Sequence, residues 1–329
     1  MSLPESSPAL GPGTPEPAAA PIPLKTDMRG GVLAALSAYL LWGFLPILFR
    51  LLDGVPAVMI VAERTIWSLV LVGIVLYVTR RFGEVREILA DRRKVGVMLL
   101  SSLLLAGNWL LYVWAVETGQ LLEASFGYFI NPLVNVAIGM VLLGERQNLW
   151  QTVSILIAVV AIAIQAVGLG SVPFIALGLA FSFGLYGYFR KTAMVGSTTG
   201  LFSETLMIAP LALGYVGYVT ATSGLGPHAD PGTLLLLMMT GPATAVPLML
   251  FAYGVQRLRL TTIGMFQYLA PSIHFLVAIG LFGEHLNGTR LLSFVLIWLS
   301  LVVFSLDSFR QHRAARVRIV TGTGGSPAQ

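Results

Sequence analysis

The residues that could do chemistry form a polar stripe inside an apolar stretch long enough to cross a membrane. The stretch is EASFGYFINPLVNVAIGMVLLGE, residues 123–145. If it is helical, Ser125, Tyr128, Asn131 and Asn135 share one face, because they lie three or four residues apart. Phenol and amide groups lose their hydrogen bonds when they face lipid. The sequence therefore predicts that this face contacts protein or water.

The same pattern occurs again 139 residues later, in IGMFQYLAPSIHFLVAIGLFGE (263–284). One offset holds from the proline to the Gly-Glu step, which indicates a duplication. It pairs Tyr128 with Gln267, Pro132 with Pro271, Asn135 with His274 and Glu145 with Glu284. We therefore expect the function to lie between the two copies, with the Tyr128–Asn135 and Gln267–His274 faces on opposite walls of one central cavity.

Each copy contains one proline near its middle and ends in a Gly-Glu step. Pro132 and Pro271 each free a backbone carbonyl four residues upstream. They are predicted to act as hinges or to expose carbonyls to a solute, or else to be kinks that packed helices tolerate. The Gly-Glu steps at 144–145 and 283–284 are predicted to be structural. Glycine ends a helix, and the carboxylate suits the positive N-terminus of the next helix.

Charged residues inside apolar stretches are the second chemical signal. Glu63 and Arg64 lie about two turns into the second stretch, where a charge costs roughly 2.5–3.5 kcal/mol. Adjacent residues on a helix point apart, so each needs a partner elsewhere. The alternatives are anion binding or proton coupling, a structural ion pair, and snorkelling to the interface. Glu204, the approximate counterpart in the second half, favours an interfacial position. The titratable candidates for coupling are Glu63, Glu123, Glu204 and His274.

Aromatic and amide side chains also occur within the apolar stretches, too far from their ends to be simple interface anchors. They could line a pocket for a planar or amphipathic solute, and ordinary packing is an equal alternative. The candidates are Trp42, Asn108, Trp109 and Tyr186.

The composition is that of an all-α polytopic membrane protein. The chain is 56% hydrophobic and 11% charged, whereas soluble domains carry about 25% charged residues. Ten apolar segments predict ten transmembrane helices. They lie at about 30–51, 58–79, 95–117, 122–143, 150–168, 173–190, 201–220, 234–256, 261–282 and 289–307.

The repeat divides the chain into four parts. Residues 1–27 are predicted to be a disordered tail, 28–170 the first five-helix repeat, 171–309 the second, and 310–329 a basic cytoplasmic tail. Each repeat holds an odd number of helices, so the second must cross the membrane in the inverted sense.

Positive charge predicts the orientation. One side of the membrane receives 17 basic residues and the other receives Arg290 alone, which places both termini in the cytoplasm. The 17 are Lys25, Arg29, Arg80, Arg81, Arg86, Arg92, Arg93, Lys94, Arg146, Arg190, Lys191, Arg257, Arg259, Arg310, Arg313, Arg316 and Arg318.

Several motifs together resemble the drug/metabolite transporter superfamily with two EamA domains, and within it the RarD branch. They are AYLLWGFLPILFR (38–50), ERTIWS (63–68), GNWLLYVWAV (107–116), LEASFGYFINPLVN (122–135), ALGLAFSFGLYGYFRK (176–191), SETLMIAP (203–210) and GMFQYLAP (264–271). The resemblance implies a ten-helix transporter of the bacterial inner membrane and a link to chloramphenicol sensitivity. It also implies Glu at Met59 and His at Glu63, so here the acidic group stands one turn further along.

These observations predict a secondary transporter that moves a small organic solute by alternating access, driven by protons or by exchange. No Gly-rich loop ends in Gly-Lys-Ser/Thr, so ATP is not expected as the direct driver. The chain has no cysteine and its four histidines are scattered, so we expect no enzyme, metal or cofactor. The expected partners are the solute and membrane lipid, and not nucleic acid. The alternatives are a lipid-moving or structural membrane protein and, least favoured, an intramembrane enzyme. Whether two copies form a homodimer stays open.

Overall fold

The computed structural model describes residues 28–143, 148–193, 195–255, 257–258 and 266–322. In this part of the chain the architecture is all-helical. The helices are α1 (Met28–Arg50), α2 (Ala57–Val78), α3 (Phe82–Ala90), α4 (Arg92–Glu117), α5 (Leu121–Leu143), α6 (Leu149–Leu169), α7 (Phe174–Ala193), α8 (Ser197–Ser223), a 3₁₀ turn (Gly226–Ala229), α9 (Pro231–Val255), α10 (Leu269–Gly280) and α11 (Gly288–Gly322).

Ten of these α-helices correspond to the ten predicted spans. Seven of the described helices are long and apolar enough to cross a membrane, and two shorter apolar stretches, 174–190 and 269–280, lie among them. The additional helix, α3, lies in the basic connection after α2. α3 buries only Val85 and Ile88. Arg81, the residue before α3, donates a hydrogen bond at 2.7 Å to Glu84 in the first turn of the helix.

The two halves make equivalent contacts. Exchanging them sends α1 to α7, α2 to α8, α4 to α9, α5 to α10 and α6 to α11. The extensive pairings obey this exchange: α5 packs on α7 as α10 packs on α1, and α4 packs on α7 as α9 packs on α1. Three pairs, α2–α8, α5–α10 and α6–α11, map onto themselves. Because each half contributes five spans, the halves form inverted repeats, as predicted.

Local sequence sets several helix ends. Asp91 caps α4 by accepting the Arg93 and Lys94 amides at 2.9 and 3.2 Å. Asn148 and Gln151 form a reciprocal capping box at the start of α6, which satisfies two otherwise unpaired donors. Gly170 ends α6 with a φ of 66°, a backbone conformation that glycine adopts without steric cost.

Glu284 caps a helix, although not the one predicted. Its carboxylate accepts the Leu121 amide at 2.6 Å and the Leu122 amide at 2.9 Å, at the N-terminus of α5. Burial raises the pKa of the Glu284 carboxyl, and the two amides oppose that shift. The expected partner was α11, the next helix. The capping principle holds, but the partner comes from the other half. Gly144 and Glu145 lie outside the described residues.

The last two predicted spans compare differently with the structure. The tenth, predicted at 289–307, matches the candidate span Gly288–Asp307, and α11 continues as a helix beyond it to Gly322. The ninth span was expected over 261–282, whereas the described helix runs only from Leu269 to Gly280. Gln267 and Tyr268 form a turn before it.

Two ends of the bundle are named below. The terminus end holds the first residues of α1, and the first-loop end holds the α1–α2 connection at residues 51–56. Successive spans run alternately between them, so α2 starts at the first-loop end and α8 starts at the terminus end.

Candidate functional site

The two repeated copies meet where α5 packs against α10. The Ser125 hydroxyl donates to the Pro271 carbonyl at 2.8 Å, and both groups are buried. The Tyr128 and His274 rings lie 5.8 Å apart between centroids. This contact joins equivalent helices of the two halves, so it lies at the interface between the repeats.

His274 is the most constrained polar group at this crossing. Its Nε2 lies 3.0 Å from the Trp42 carbonyl and 3.1 Å from the Tyr112 hydroxyl. A carbonyl only accepts, so Nε2 carries the proton that it donates to Trp42. Neutral imidazole then has Nδ1 as an acceptor, and Nδ1 is buried without a protein partner.

Tyr112 links this crossing to α4. Its ring makes edge contacts with Tyr128 at 5.6 Å, Trp109 at 5.9 Å and Phe49 at 6.0 Å. Tyr112 is 2% exposed, and sequence reasoning did not single it out. Its spacing of three residues from Trp109 places both on one face of α4, which was the available signal.

Glu63 and Arg64 have separate partners, as their adjacent positions predict. The Glu63 carboxylate lies 2.8 Å from Nε2 of His228 and accepts the Trp67 indole N–H at 2.9 Å. His228 belongs to the 3₁₀ turn between α8 and α9, so a connecting segment reaches a carboxylate inside α2. No pattern in the sequence indicates this pairing.

Arg64 is 4% exposed, so it does not snorkel to an interface. Its guanidinium lies over the Trp109 ring at 4.4 Å from the centroid. This is a cation–π contact between α2 and α4. Among the described residues no carboxylate lies within ion-pair distance of Arg64, which makes its environment unlike that of Glu63.

Glu204 is a buried carboxylate toward the terminus end. It accepts a short hydrogen bond from the Ser101 hydroxyl, and the Tyr186 hydroxyl donates to it at 3.4 Å. Arg190 forms an ion pair with it at 3.5 Å. The structure encloses Glu204 in protein, because it is only 2% exposed; its predicted interfacial depth stays a prediction. Its partners come from α4 and α7.

The remaining amide candidates do not join the Tyr128–His274 contact. Asn108 donates to the Leu179 carbonyl at 3.1 Å and to Ser182 at 2.8 Å, which ties α4 to α7. Asn131 is 1% exposed and its Oδ1 has no protein partner. Asn135 faces α7, where a Cβ on Gly184 would come within 3.2 Å of its Oδ1.

Other candidates have structural contacts. Gln267 lies half-buried in the turn before α10. Glu123 accepts the Ile175 amide at 3.1 Å and thereby caps the start of α7. The Trp42 ring packs edge-on against Tyr39 at 5.6 Å. Trp42 therefore contributes its carbonyl, and not its ring, to the His274 environment.

The two prolines are not equivalent in the structure. Pro132 lies in the middle of a continuous helix, α5. Pro271 is the third residue of α10, a position whose amide has no helical acceptor in any case. Pro271 has no amide to donate to the carbonyl of Gln267, four residues earlier, and Gln267 lies in the turn at 267–268. Symmetric kinks were expected, but the helix is interrupted only before Pro271.

Comparison with known proteins identifies the class of this fold. Residues 29–166 match the EamA-like transporter family. "Protein RarD" of Salmonella typhi is 42% identical over 287 residues, which cover 87% of this chain and 97% of the relative. An "Uncharacterized transporter" of Vibrio cholerae is 40% identical over 295 residues, covering 89% and 98%. A crystal structure with 20% identity and a TM-score of 0.57 covers 86% of this chain and 99% of its own, which is a likeness of fold.

The chain therefore belongs to the EamA-like transporter family, in the RarD-like branch. It is a multi-pass membrane transporter, as the sequence motifs imply.

Proposed function

We propose that this transporter is a secondary carrier that moves a small organic solute by alternating access between its two inverted halves. The observation that supports this best is the α5–α10 contact, where Tyr128 and His274 meet at the interface between the repeats. Inverted repeats with polar groups at their interface are typical of secondary transporters. Orphaned polar atoms of Asn131 and His274 beside this contact could bind solute groups.

The terminus end is proposed to face the cytoplasm. The support is the charge asymmetry, 17 basic residues against Arg290 alone, because cytoplasmic connections retain Lys and Arg. Reporter fusions should place residue 225, in the α8–α9 connection, and residue 320, near the end of α11, on opposite sides of the membrane. Fusions that report the same side would overturn the proposed orientation.

The solute route is proposed to pass between α5 and α10. Because the chain has no cysteine, single cysteines can be introduced without background. Cysteines at Tyr128, Asn131, Asn135, Gln267 and His274 should react with a small water-soluble thiol reagent in at least one transport state.

Two positions serve as controls for this labelling. A cysteine at Leu133 is buried, and one at Leu276 lies on an exposed face that we expect lipid to cover. Both should stay unreactive. If all five test positions are inert in every state while transport proceeds, the route does not lie between α5 and α10.

Transport by the purified protein in liposomes tests the function itself. We expect saturable solute flux that depends on a pH gradient or on a counter-solute inside the vesicles. A dithionite assay with fluorescent lipids runs in parallel, because lipid movement is the competing function. Lipid movement without solute flux would overturn the proposal. Loss of flux on collapsing the pH gradient would assign proton coupling, and stimulation by internal solute would assign exchange.

A further inference from the structure

Arg64 is the only lysine or arginine that is almost fully buried among the side chains that the structure describes. No carboxylate oxygen of the described residues lies within 4.0 Å of it. Its Nε is enclosed and has no hydrogen-bond partner. An arginine stays charged in proteins and offers five N–H donors, so this positive charge is left without an anion.

The neighbouring carboxylate does not neutralise Arg64. Glu63 is adjacent in sequence but points to another side of α2, where it contacts His228 and Trp67. The other deeply buried carboxylate near the bundle axis, Glu204, has its own cation in Arg190. An unpaired buried charge is costly, and buried charges in proteins are normally paired. The exception at Arg64 therefore calls for a partner that the described residues do not supply.

The position of Arg64 connects it to the proposed route. Its guanidinium lies on Trp109, Trp109 makes an edge contact with Tyr112, and Tyr112 contacts both Tyr128 and His274. A continuous run of aromatic rings thus leads from the cation to the α5–α10 contact. The faces and edges of such rings suit a planar, apolar solute body.

We propose that Arg64 is the anion-binding residue of the transport site, and that the solute is a monovalent organic carboxylate with an aromatic or apolar body. This inference rests on the proposed function and names its substrate class. The planar guanidinium matches a carboxylate with two parallel hydrogen bonds. One uncompensated positive charge balances one negative charge, so a phosphate dianion would leave an excess charge in a medium of low dielectric.

Paired probes on the unmodified protein test the charge requirement directly. Benzoate, phenylacetate and indole-3-acetate are each compared with the corresponding amide, which keeps the shape and removes the charge. Phenyl phosphate and phenylalanine test the dianion and the zwitterion. Binding is followed by thermal stabilisation and by the fluorescence of Trp109, with a Trp109→Phe variant to assign the signal.

We expect at least one carboxylate to bind more tightly than its amide, by about tenfold or more. This ratio in affinity corresponds to the free energy of one hydrogen bond to a charged group. Phenyl phosphate and phenylalanine should bind more weakly than the matching monocarboxylate. The proposal is overturned if amides bind as well as acids, if no carboxylate in the series binds, or if phenyl phosphate binds most tightly.

Variants of Arg64 then locate the charge. Arg64→Gln should abolish the preference for acid over amide, and Arg64→Lys should retain part of it. Arg50→Gln is the matched control, because Arg50 is exposed; its guanidinium reaches the Glu117 carbonyl at 3.5 Å and lies 5.6 Å from the centroid of the Phe282 ring. Unchanged selectivity in Arg64→Gln would overturn the assignment. If Arg64→Gln does not fold, Arg64→Lys and the acid–amide comparison on the unmodified protein decide the matter.

Flux measurements separate this inference from the proposed function. Carboxylate binding without any flux in liposomes would overturn the transport mechanism and leave the anion site intact. Flux of neutral amides at the same rate as acids would overturn the anion site and leave the transport mechanism intact.

Discussion

Glu63 and Glu204 are buried carboxylates near the starts of α2 and α8, two helices that pack against each other in the inverted repeat. Their partners differ in kind. Glu63 meets the imidazole of His228, which a short 3₁₀ turn supplies. Glu204 meets the guanidinium of Arg190 on α7 and the hydroxyl of Ser101 on α4.

This difference indicates how each end of the bundle could open. At the first-loop end, moving one connecting segment separates His228 from Glu63. At the terminus end, separating Glu204 from its partners requires whole helices to move, because α4, α7 and α8 each hold one side of the cluster. We therefore expect the first-loop end to open at a lower cost than the terminus end.

The largest effect is expected from breaking the Arg190–Glu204 pair. Arg190→Gln leaves a buried carboxylate without a cation, which in soluble proteins costs about 3–5 kcal/mol. Denaturant unfolding of the purified protein measures the loss. The double variant Arg190→Gln/Glu204→Gln should recover most of the stability, because it removes the unpaired charge. A single variant as stable as the unmodified protein would show that the terminus end is not held by this pair.

A smaller effect is expected at His228. His228→Ala removes a hydrogen bond to a charged group, and such bonds contribute about 1.5–3 kcal/mol. His228→Gln keeps an N–H donor for the Glu63 carboxylate, so its loss should be smaller. Limited proteolysis of the 224–230 connection, alongside thermal unfolding, measures how firmly the segment is held. Equal protection in His228→Ala and the unmodified protein would contradict the idea that Glu63 anchors it.

The smallest effect is expected from Tyr186→Phe. Its hydroxyl donates to Glu204 at 3.4 Å, which is longer than an ordinary O–H···O bond. Ser101→Ala removes the shorter donor to the same carboxylate and should destabilise the protein more. Each substitution deletes one hydroxyl that donates to Glu204. The difference between their melting temperatures therefore compares the shorter hydrogen bond with the longer one. The reverse order would contradict the ranking.

Much of the architecture follows from local sequence. Apolar length predicted the ten spans, and the 139-residue offset predicted that α5 and α10 are equivalent. The adjacency of Glu63 and Arg64 predicted that they have different partners, because helix geometry alone turns neighbouring side chains apart.

The partners themselves could not be predicted. His228 is one of four scattered histidines, and no sequence pattern around it predicts contact with Glu63, which lies 165 residues away. Glu284 caps α5 rather than the next helix because the packed halves bring that N-terminus to it. Asn135 faces α7 as its counterpart His274 faces α1, the equivalent placement under the exchange of halves, but nothing in the polar stripe indicated which helix each would face.

The sequence by itself determined the elements: how many spans, which faces are polar, and that the chain is a duplicated membrane protein. These properties depend on hydropathy and helical period, which are local. Only the tertiary structure decided which charges are compensated. It paired Glu63 with His228 and Glu204 with Arg190, and it placed Arg64 on Trp109 with no carboxylate of the described residues beside it. Compensation depends on distances of a few ångströms between residues far apart in the chain, and only the packing of helices and connecting segments sets those distances.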